Sequence, residues 1–366
     1  MSLPEIIVDR ISKEGPVSFH DFMEMSLYYP RYGYYSTARD KIGKGGDFYT
    51  SPCVSPLFGE MIARQLEEMW FWLGRRPFSV VEFGAGTGLL CRDILRSLQR
   101  NKELYIDLHY YIIERSESMR NKEREMLPAD KVSWHNDVSE IPPITGCILS
   151  NELIDNFSVH QVVMEEELME VFVDYCDGFT ECLRPAGPAL RDYLSQLNVI
   201  LPRGFRTEIN LEATEWIGCI SGMLEKGFVL TIDYGFPSRV LYDSHRNKGT
   251  LVCYHQHNVN YSPYTNIGEQ DITTHINFSA LCHWGLHNGL EVGGYTNQAF
   301  FLQGLGLAAH LRDMEEKGTM DQWSPGEKLS LIRTLLMDMG QKFNVLIQYK
   351  GLRKPLLSGL RFPQPL

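Results

Sequence analysis

Three side chains capable of acid–base chemistry follow one short apolar run of the chain. Glu152, Asp155 and His160 come soon after the run at 147–149. Such a run predicts a buried strand, and open α/β sheets bind their ligands at the carboxyl ends of strands. Two acids and a histidine are residue types used in general acid–base chemistry. A helix cap with surface charges is an equally good interpretation of these residues alone.

A glycine-rich turn predicts a second place where a ligand approaches the chain. The apolar run at 78–83 ends in Gly84, Gly86 and Gly88, and a helical pattern follows at once. Glycine adopts backbone angles closed to other residues and lets a ligand approach the main chain. Strand, glycine turn and helix are typical of the opening of a nucleotide-binding α/β unit. A tight turn without a ligand is the alternative.

Polar residues follow the next predicted strands as well. A second strand at 109–114 ends in Glu114, where an acid of a doubly wound sheet binds ribose hydroxyls. A third strand at 132–135 precedes Asp137 and Val138, where this fold class often places an acid against the adenine amine. Further strands are predicted at 147–149, 228–232, 290–302 (one or two strands) and 343–349.

Other patterns place helices and a hairpin region around these βα units. Amphipathic periodicity predicts helices over 3–15 and 56–72. An alternating pattern at 160–183 predicts two or three antiparallel strands that interrupt the βα rhythm as an insertion.

Two N-terminal stretches each have two interpretations. The five tyrosines within 27–36 favour a packed aromatic loop, and a lid over a ligand pocket is the alternative. The glycine-rich stretch at 43–52 is not a P-loop, because no Gly-Lys-Ser/Thr opens a helix there. It predicts either a segment that orders on a ligand or a plain surface loop.

Composition excludes several classes of function. The 366 residues, 43% of them hydrophobic and 22% charged, are typical of a soluble globular protein of one large domain or two. A net charge of −11 argues against binding to nucleic acid or anionic membranes and is compatible with a basic protein segment as substrate. No apolar run is long enough to span a bilayer, so we expect no membrane insertion.

Cysteine and histidine spacing predicts a reducing compartment and no metal site. The 8 cysteines are scattered, without a C-x-x-C pair. His255 with His257, and His283 with His287, lack further ligands at suitable positions. The N-terminus has the features of neither a signal peptide nor an Arg-rich transit sequence. We therefore expect a bacterial cytoplasm, although a processed chain of the mitochondrial matrix would look the same.

Five blocks of the sequence carry a family likeness between about residues 16 and 305. They are Leu27-Tyr-Tyr-Pro with Gly33-Tyr-Tyr-Ser, Gly46-Asp-Phe-Tyr-Thr-Ser-Pro with Phe58-Gly-Glu, Val81-Glu-Phe-Gly-Ala-Gly-Thr-Gly, Asn151-Glu-Leu-Ile-Asp-Asn with Val159-His-Gln, and Asp233-Tyr-Gly with Asp271-Ile-Thr-Thr-His. Leu89 stands where the dinucleotide fingerprint has its last glycine, so the turn fits class I methyltransferases instead. In this order the blocks resemble the MidA-type family of S-adenosylmethionine-dependent methyltransferases. Asn277 departs from the family, which often has an acid there.

The resemblance implies an α/β fold of class I, with a Rossmann-like seven-strand methyltransferase sheet, an N-terminal helical extension and an inserted α+β substrate region. The implied segments are a helical and aromatic extension that acts as a lid at 1–75, the cofactor-binding half of the core at 76–157, an inserted hairpin and helix region at 158–207, the second half of the core with an active-site loop at 208–305, and a C-terminal helical and strand segment at 306–366.

The resemblance also implies methyl transfer to a protein side chain. A mitochondrial relative is regarded as an arginine methyltransferase that assists assembly of respiratory complex I. An arginine in a basic protein segment, with a complex I subunit as one such protein, is the implied acceptor. A small-molecule methyltransferase and a cofactor-binding assembly factor without catalysis are the alternatives. The sequence is compatible with a homodimer.

Residue roles follow block by block. Carboxylates fork onto a guanidinium and help to remove a proton, which an arginine acceptor requires. The implied catalytic residues are Glu152, Asp155, Asp271 and His275. The implied residues for S-adenosylmethionine are Glu82, Gly84, Ala85, Gly86, Gly88, Glu114, Asp137, Val138 and Asn151.

Overall fold

A computed structural model describes residues 1–37, 41, 46–47, 51–318 and 323–366. The chain forms two compact units, each assembled from three separate segments. The large-sheet unit contains Tyr49–Leu153, Gly218–Tyr234 and Gly285–Leu366. The small-sheet unit contains Met1–Phe48, Ile154–Ile217 and Gly235–Trp284.

The large-sheet unit is built on a mixed sheet with seven strands along one path. Its first five strands are parallel, and the last two pair antiparallel. An antiparallel edge on a mostly parallel sheet is common in α/β proteins. In spatial order the strands are Val132–His135, Leu108–Ile113, Phe78–Phe83, Ile144–Asn151, Leu224–Phe236, Phe343–Lys350 and Glu291–Asn297.

Helices bury their apolar faces within this unit. Leu90, Ile94 and Leu98 share one face of the helix after the glycine turn, and all three are buried in its core. The long helix Pro56–Trp72 buries its apolar face in the same core. It precedes the strand Phe78–Phe83, which ends before Gly84 and is called the glycine strand below. The helices are Ser51–Val54, Pro56–Trp72, Leu89–Leu98, Lys102–Ile106, Glu117–Met126, Gln298–Gly304, Leu307–Glu316 and Pro325–Arg333, with shorter turns at Val138–Glu140, Thr334–Asp338 and Ser358–Leu360.

Strand order in this sheet reverses beside the glycine strand. From Phe78–Phe83 the chain proceeds outward to Leu108–Ile113 and Val132–His135, and it returns on the other side at Ile144–Asn151. Open α/β sheets bind ligands at such a switch point, outside the carboxyl ends of the strands. The two strands that flank it end at Phe83, directly before Gly84, and at Asn151.

The small-sheet unit carries two antiparallel sheets. The first contains Val17–Ser18, His160–Met164, Leu168–Tyr175, Phe179–Pro185 and Arg206–Ile209, and the second contains Val252–His255, Asn258–Asn260 and Asp271–Thr273. Helices lie at Leu3–Glu14, Phe19–Tyr28, Pro188–Gln196 and Ser238–Leu241, with shorter turns at Tyr34–Ser36, Ile154–Asn156 and Ser244–Arg246. The helices Leu211–Met223 and Phe278–His287 begin in this unit and end in the large-sheet unit.

A mixed α/β fold is confirmed, with three differences from the expected details. A short strand, Ile276–Asn277, pairs with the last residues of Leu224–Phe236, so the described residues contribute eight strands to the large sheet. The N-terminal extension is not only helical, because Val17–Ser18 pairs with Leu168–Tyr175. The apolar residues 300–302 lie in a helix, because Asn297 caps it by accepting from the Phe300 amide at 2.8 Å. An apolar run alone does not distinguish helix from strand.

Three further expectations concern the tyrosine stretch, the glycine-rich stretch and helices that could span a membrane. Tyr34 is buried, and the Tyr28 and Tyr35 rings stack at 5.6 Å, so the tyrosine stretch is a packed aromatic loop. Its role as a lid stays a prediction. Most of the glycine-rich stretch at 43–52 lies outside the described residues. None of the helices described in the structure is long and apolar enough to cross a membrane.

Candidate functional site

The glycine turn holds its backbone in the left-handed region at three alternate positions. The φ angles of Gly84, Gly86 and Gly88 are 64°, 59° and 74°. Glycine takes these angles without the steric cost that a Cβ imposes. The Gly84 amide donates to the Ile113 carbonyl at 2.9 Å, and the Gly88 amide donates to the Ala85 carbonyl at 2.9 Å. The turn is therefore fixed to the neighbouring strand while the helix begins directly after it.

Acids follow the next two strands, as the sequence predicted. The Glu114 carboxylate accepts from the Ser116 amide at 2.7 Å, and burial raises the Glu114 pKa. The Asp137 carboxylate is exposed and accepts from the Ser139 hydroxyl and amide, which lower the Asp137 pKa. Val138, beside Asp137, is buried. An acid thus stands at the carboxyl end of each strand.

Glu82 lies inside the glycine strand and has a neighbour in the next strand. Its carboxyl group accepts from the Tyr110 hydroxyl at 2.7 Å, and burial raises the Glu82 pKa to about 7. Glu123 is a second buried acid, with a pKa of about 8 that is raised by burial and then by the charge of Glu114. A Cβ at Gly88 would lie 3.3 Å from the Glu123 side chain, so Glu123 packs under the glycine turn. Sequence reasoning did not select Glu123.

Asn151 and Glu152 lie on the other side of the switch point. Among the described residues, the buried Asn151 Oδ1 has no hydrogen-bond partner. The Asn151 amide nitrogen donates to Glu152 Oε1 at 3.2 Å. Glu152 has a φ of 52°, an angle uncommon outside glycine and asparagine, and its own amide donates to the Ile232 carbonyl at 2.9 Å. Strained backbone of this kind is often found at functional sites.

Asp233 holds the loop after Asn151 in place. Its carboxylate accepts from the Leu153 amide at 3.3 Å and from the Tyr234 amide at 2.8 Å. Leu153 in turn lies against the glycine turn, because a Cβ at Gly84 would come 2.8 Å from the Leu153 side chain. The Asp-Tyr-Gly block was visible in the sequence, but no local pattern indicates that Asp233 binds a loop so distant along the chain.

In the small-sheet unit, the structure brings together two of the predicted catalytic acids. Asp155 is 3% exposed and Asp271 is 2% exposed. The Tyr35 hydroxyl lies 2.9 Å from Asp271 Oδ1 and 2.9 Å from Asn156 Oδ1. The Asn156 amide donates to Asp155 Oδ1 at 3.1 Å. Burial, and then the charge of Asp155, raise the pKa of Asp271 to about 8. Tyr35 and Asn156 were absent from the predicted site.

His275 belongs to the same unit and lies against an aromatic ring. Its ring is 5.3 Å from that of Phe236, and Arg246 lies over the same Phe236 ring at 4.0 Å. Burial, and then the charge of Arg246, lower the His275 pKa to about 4. His275 is therefore neutral near pH 7, and its catalytic role stays a prediction. Glu152 belongs to the large-sheet unit.

Comparison with known proteins identifies the family. The model of a family described as "Putative S-adenosyl-L-methionine-dependent methyltransferase" matches residues 61–296. The chain belongs to this family. The earlier resemblance to MidA-type methyltransferases is thereby confirmed.

Relatives cover nearly the whole chain. The mitochondrial protein arginine methyltransferase NDUFAF7 homolog of Drosophila melanogaster is 27% identical, over 96% of this chain and 85% of its own length. Human NDUFAF7, also named a protein arginine methyltransferase, is 25% identical, over 92% of this chain and 80% of its own length. A Burkholderia thailandensis protein crystallised with S-adenosyl-homocysteine is 30% identical with a TM-score of 0.89, over 99% of this chain and 95% of its own.

This methyltransferase uses S-adenosylmethionine as its cofactor. The large-sheet unit fits such a molecule. Its glycine turn leaves main-chain groups accessible without side chains, and Asn151 Oδ1 is a buried acceptor that lacks a partner within the described chain. The Glu114 carboxylate stands at a strand end where ribose hydroxyls are commonly bound.

Proposed function

We propose that this methyltransferase transfers the methyl group to an arginine side chain of a protein. The observation that carries the proposal is the pair of buried carboxyl groups, Asp155 and Asp271, held near one another by Tyr35 and Asn156. Paired carboxylates match the fork of a guanidinium. The names of the mitochondrial relatives, which state protein arginine methyltransferase, support the same acceptor.

Residues of the large-sheet unit would hold the cofactor. Gly84, Gly86 and Gly88 would offer main-chain groups to its methionine part, with Ala85 between them. Glu114 would accept from the ribose hydroxyls. When bound, S-adenosylmethionine supplies a methyl group already activated by its sulfonium centre, so the protein mainly has to orient the acceptor. The remaining proposed contacts are those of Glu82, Asp137, Val138 and Asn151.

Residues of the small-sheet unit would hold the acceptor. A guanidinium has a pKa far above neutral pH, so it arrives charged and is a poor nucleophile until a proton leaves it. Its positive charge favours the ionised form of Asp271, and both carboxylates then accept N–H bonds that fix one nitrogen. A carboxylate oxygen of Asp155 or Asp271 would take up the proton. The neutral His275 of this unit is a further candidate for this proton, and the catalytic role of Glu152, in the large-sheet unit, stays a prediction.

The first experiment identifies the class of acceptor. The protein is incubated with labelled S-adenosylmethionine and a cell extract, and the label is followed into protein and small-molecule fractions. Label on arginine of a protein band supports the proposal. Label only among small molecules would replace it with a small-molecule methyltransferase, and no label would favour an assembly factor without catalysis.

The second experiment tests the carboxyl pair. We expect Asp155→Asn and Asp271→Asn to bind S-adenosylmethionine as the wild type does, by calorimetry, while methyl transfer falls on the order of 100-fold or more. Asp192→Asn, at an exposed aspartate of the same unit, is the matched control and should keep full transfer. Full transfer by both paired variants would remove these acids from the proposed mechanism.

A further inference from the structure

Two buried acids of the small-sheet unit are joined by a continuous hydrogen-bonded chain. It runs from Asp271 through the Tyr35 hydroxyl to Asn156 Oδ1, and from Asn156 Nδ2 to Asp155 Oδ1. The three links measure 2.9, 2.9 and 3.1 Å. Tyr28 supports the same residues, because its ring stacks on Tyr35 and its hydroxyl donates to the Asn156 carbonyl at 2.9 Å.

The number of protons fixes the direction of these bonds. A tyrosine hydroxyl has one proton to donate, and an amide oxygen can only accept. Tyr35 therefore donates to Asn156 Oδ1, and its contact with Asp271 is satisfied when Asp271 carries a proton and donates to the Tyr35 oxygen. With Asp155 ionised, the opposite orientation of the Asn156 amide would set its oxygen against Asp155 Oδ1, where two acceptors would face each other at 3.1 Å.

We propose that Tyr35 and Asn156 are positioning residues that join Asp155 and Asp271 into one acceptor-binding pair with a single retained proton, which lies on Asp271 in the free protein. The proposal deepens the proposed function and rests on it for the acceptor, a guanidinium. Binding of that cation displaces the Asp271 proton to solvent, so that both carboxylates accept N–H bonds. Acceptor binding is thus coupled to release of one proton.

The surroundings of Asp271 favour a retained proton at neutral pH. Burial, then the charge of Asp155 and, with a smaller effect, the charge of Asp47 raise the Asp271 pKa to about 8, against the lowering effect of the Tyr35 hydrogen bond to the ionised carboxylate. Among the residues that the structure describes, the titratable groups that interact with it are Asp47, Asp155, Tyr28, Tyr35, Cys253 and Tyr254. Lys41 lies over the ring of Tyr34, whose hydroxyl donates to Asp47 at 2.7 Å.

Infrared spectroscopy of protein with isotope-labelled aspartate measures this proton without requiring activity. We expect a protonated carboxyl band at pH 7 that titrates with a midpoint near pH 8 and disappears in Asp271→Asn. Asp155→Asn removes a neighbouring negative charge and should lower the midpoint. When Asp271 is ionised, the Tyr35 hydroxyl turns to donate to the carboxylate, and this charge-assisted bond is stronger than the bond that the neutral acid makes to Tyr35. Tyr35→Phe removes it and should therefore raise the midpoint by about half to one pH unit.

Tyr28→Phe is the matched control for Tyr35→Phe. Both tyrosines belong to the same stacked pair, but the Tyr28 hydroxyl contacts a backbone carbonyl and not a carboxyl group. The midpoint of Tyr28→Phe should equal that of the wild type. Equal midpoints in both phenylalanine variants, or no band lost in Asp271→Asn, would overturn the inference. In active protein, the acidic limb of the plot of kcat/KM against pH should shift in the same direction as the midpoint of the infrared band.

The same measurements separate the two proposals. A wild-type protein that shows the band and its shifts, yet methylates no arginine peptide, would retain the coupled pair and reject the proposed acceptor. A protein that methylates arginine but shows no effect of Tyr35→Phe on the midpoint or on the pH profile would retain the function and reject the coupling.

Discussion

Backbone angles of single residues determine what the glycine turn can bind. Gly84, Gly86 and Gly88 adopt positive φ angles. Because glycine has no side chain, the residue itself does not cover its main-chain amide and carbonyl groups. A side chain at any of them would strain the backbone, and one at Gly84 or Gly88 would also press against Leu153 or Glu123. Backbone geometry is therefore one reason for glycine at these three positions, and the proposed approach of the cofactor is a second.

Gly86→Ala should weaken S-adenosylmethionine binding by at least about tenfold, because its Cβ would occupy the approach to the main chain. Calorimetric titration with the cofactor measures the loss. Gly74→Ala is the control, since Gly74 also has a positive φ, of 81°, but a Cβ there would meet no atom within 4 Å. Gly74→Ala should lower the free energy of unfolding and leave the affinity for S-adenosylmethionine unchanged. Unchanged affinity in Gly86→Ala would contradict the proposed role of the turn.

At the scale of elements, three parallel strands of the large sheet approach one another closely at two glycines. A Cβ at Gly146 would lie 1.9 Å from the Ser79 carbonyl oxygen, and one at Gly227 would lie 2.0 Å from the Gly146 carbonyl oxygen. Both distances are far below any real contact. The strands Phe78–Phe83, Ile144–Asn151 and Leu224–Phe236 hence keep their spacing because these positions have no side chain.

Gly146→Ala should destabilise the protein by roughly 2–4 kcal/mol, because neighbouring strands must shift to admit the methyl group. Urea denaturation gives the free energy of unfolding. The matched control is Gly222→Ala, at a helical position where a Cβ would meet nothing within 4 Å, and it should be neutral or slightly stabilising. Equal stability of the two variants would show that the sheet tolerates a Cβ at Gly146.

For the whole molecule, buried acids make stability depend on pH. Glu82 and Glu123 have ordinary pKa values of 4.5 that rise to about 7 and about 8 in the folded protein. Between pH 4.5 and these raised pKa values, the folded state retains protons that the unfolded chain has lost. The free energy of unfolding therefore falls as pH rises through this range. His20, whose pKa is raised to about 10 by hydrogen bonds to Asp21 and Glu212, adds a loss at higher pH.

We expect the free energy of unfolding to be lower at pH 9 than at pH 6. Urea denaturation at the two pH values tests this. Glu123→Gln can keep an oxygen for the Trp134 indole, which donates to Glu123 at 2.8 Å, while removing the titration. The drop between pH 6 and pH 9 should therefore be smaller in this variant, by about 1 kcal/mol or more. A drop as large as that of the wild type would mean that Glu123 does not carry the effect.

The sequence by itself determined the features that arise from neighbouring residues. The strand, the three glycines and the helix after them are consecutive, so local backbone preference and periodicity were enough to predict Phe78–Phe83, Leu89–Leu98 and the acid at Glu114. The motif blocks added the family. Local signals failed where an apolar run was compatible with two structures, as at residues 300–302, because a cap at Asn297 decided between them.

Only the tertiary structure decided how the proposed acceptor site is built. Tyr35 is 121 positions from Asn156 and 236 positions from Asp271, and no periodicity connects residues at such separations. The tyrosine stretch was visible, but the hydroxyl that contacts both Asp271 and Asn156 was not. The raised pKa of Asp271 likewise comes from burial and from Asp155, which depend on the folded chain. Residue types at a site can be predicted from sequence, but their protonation depends on neighbours that only folding provides.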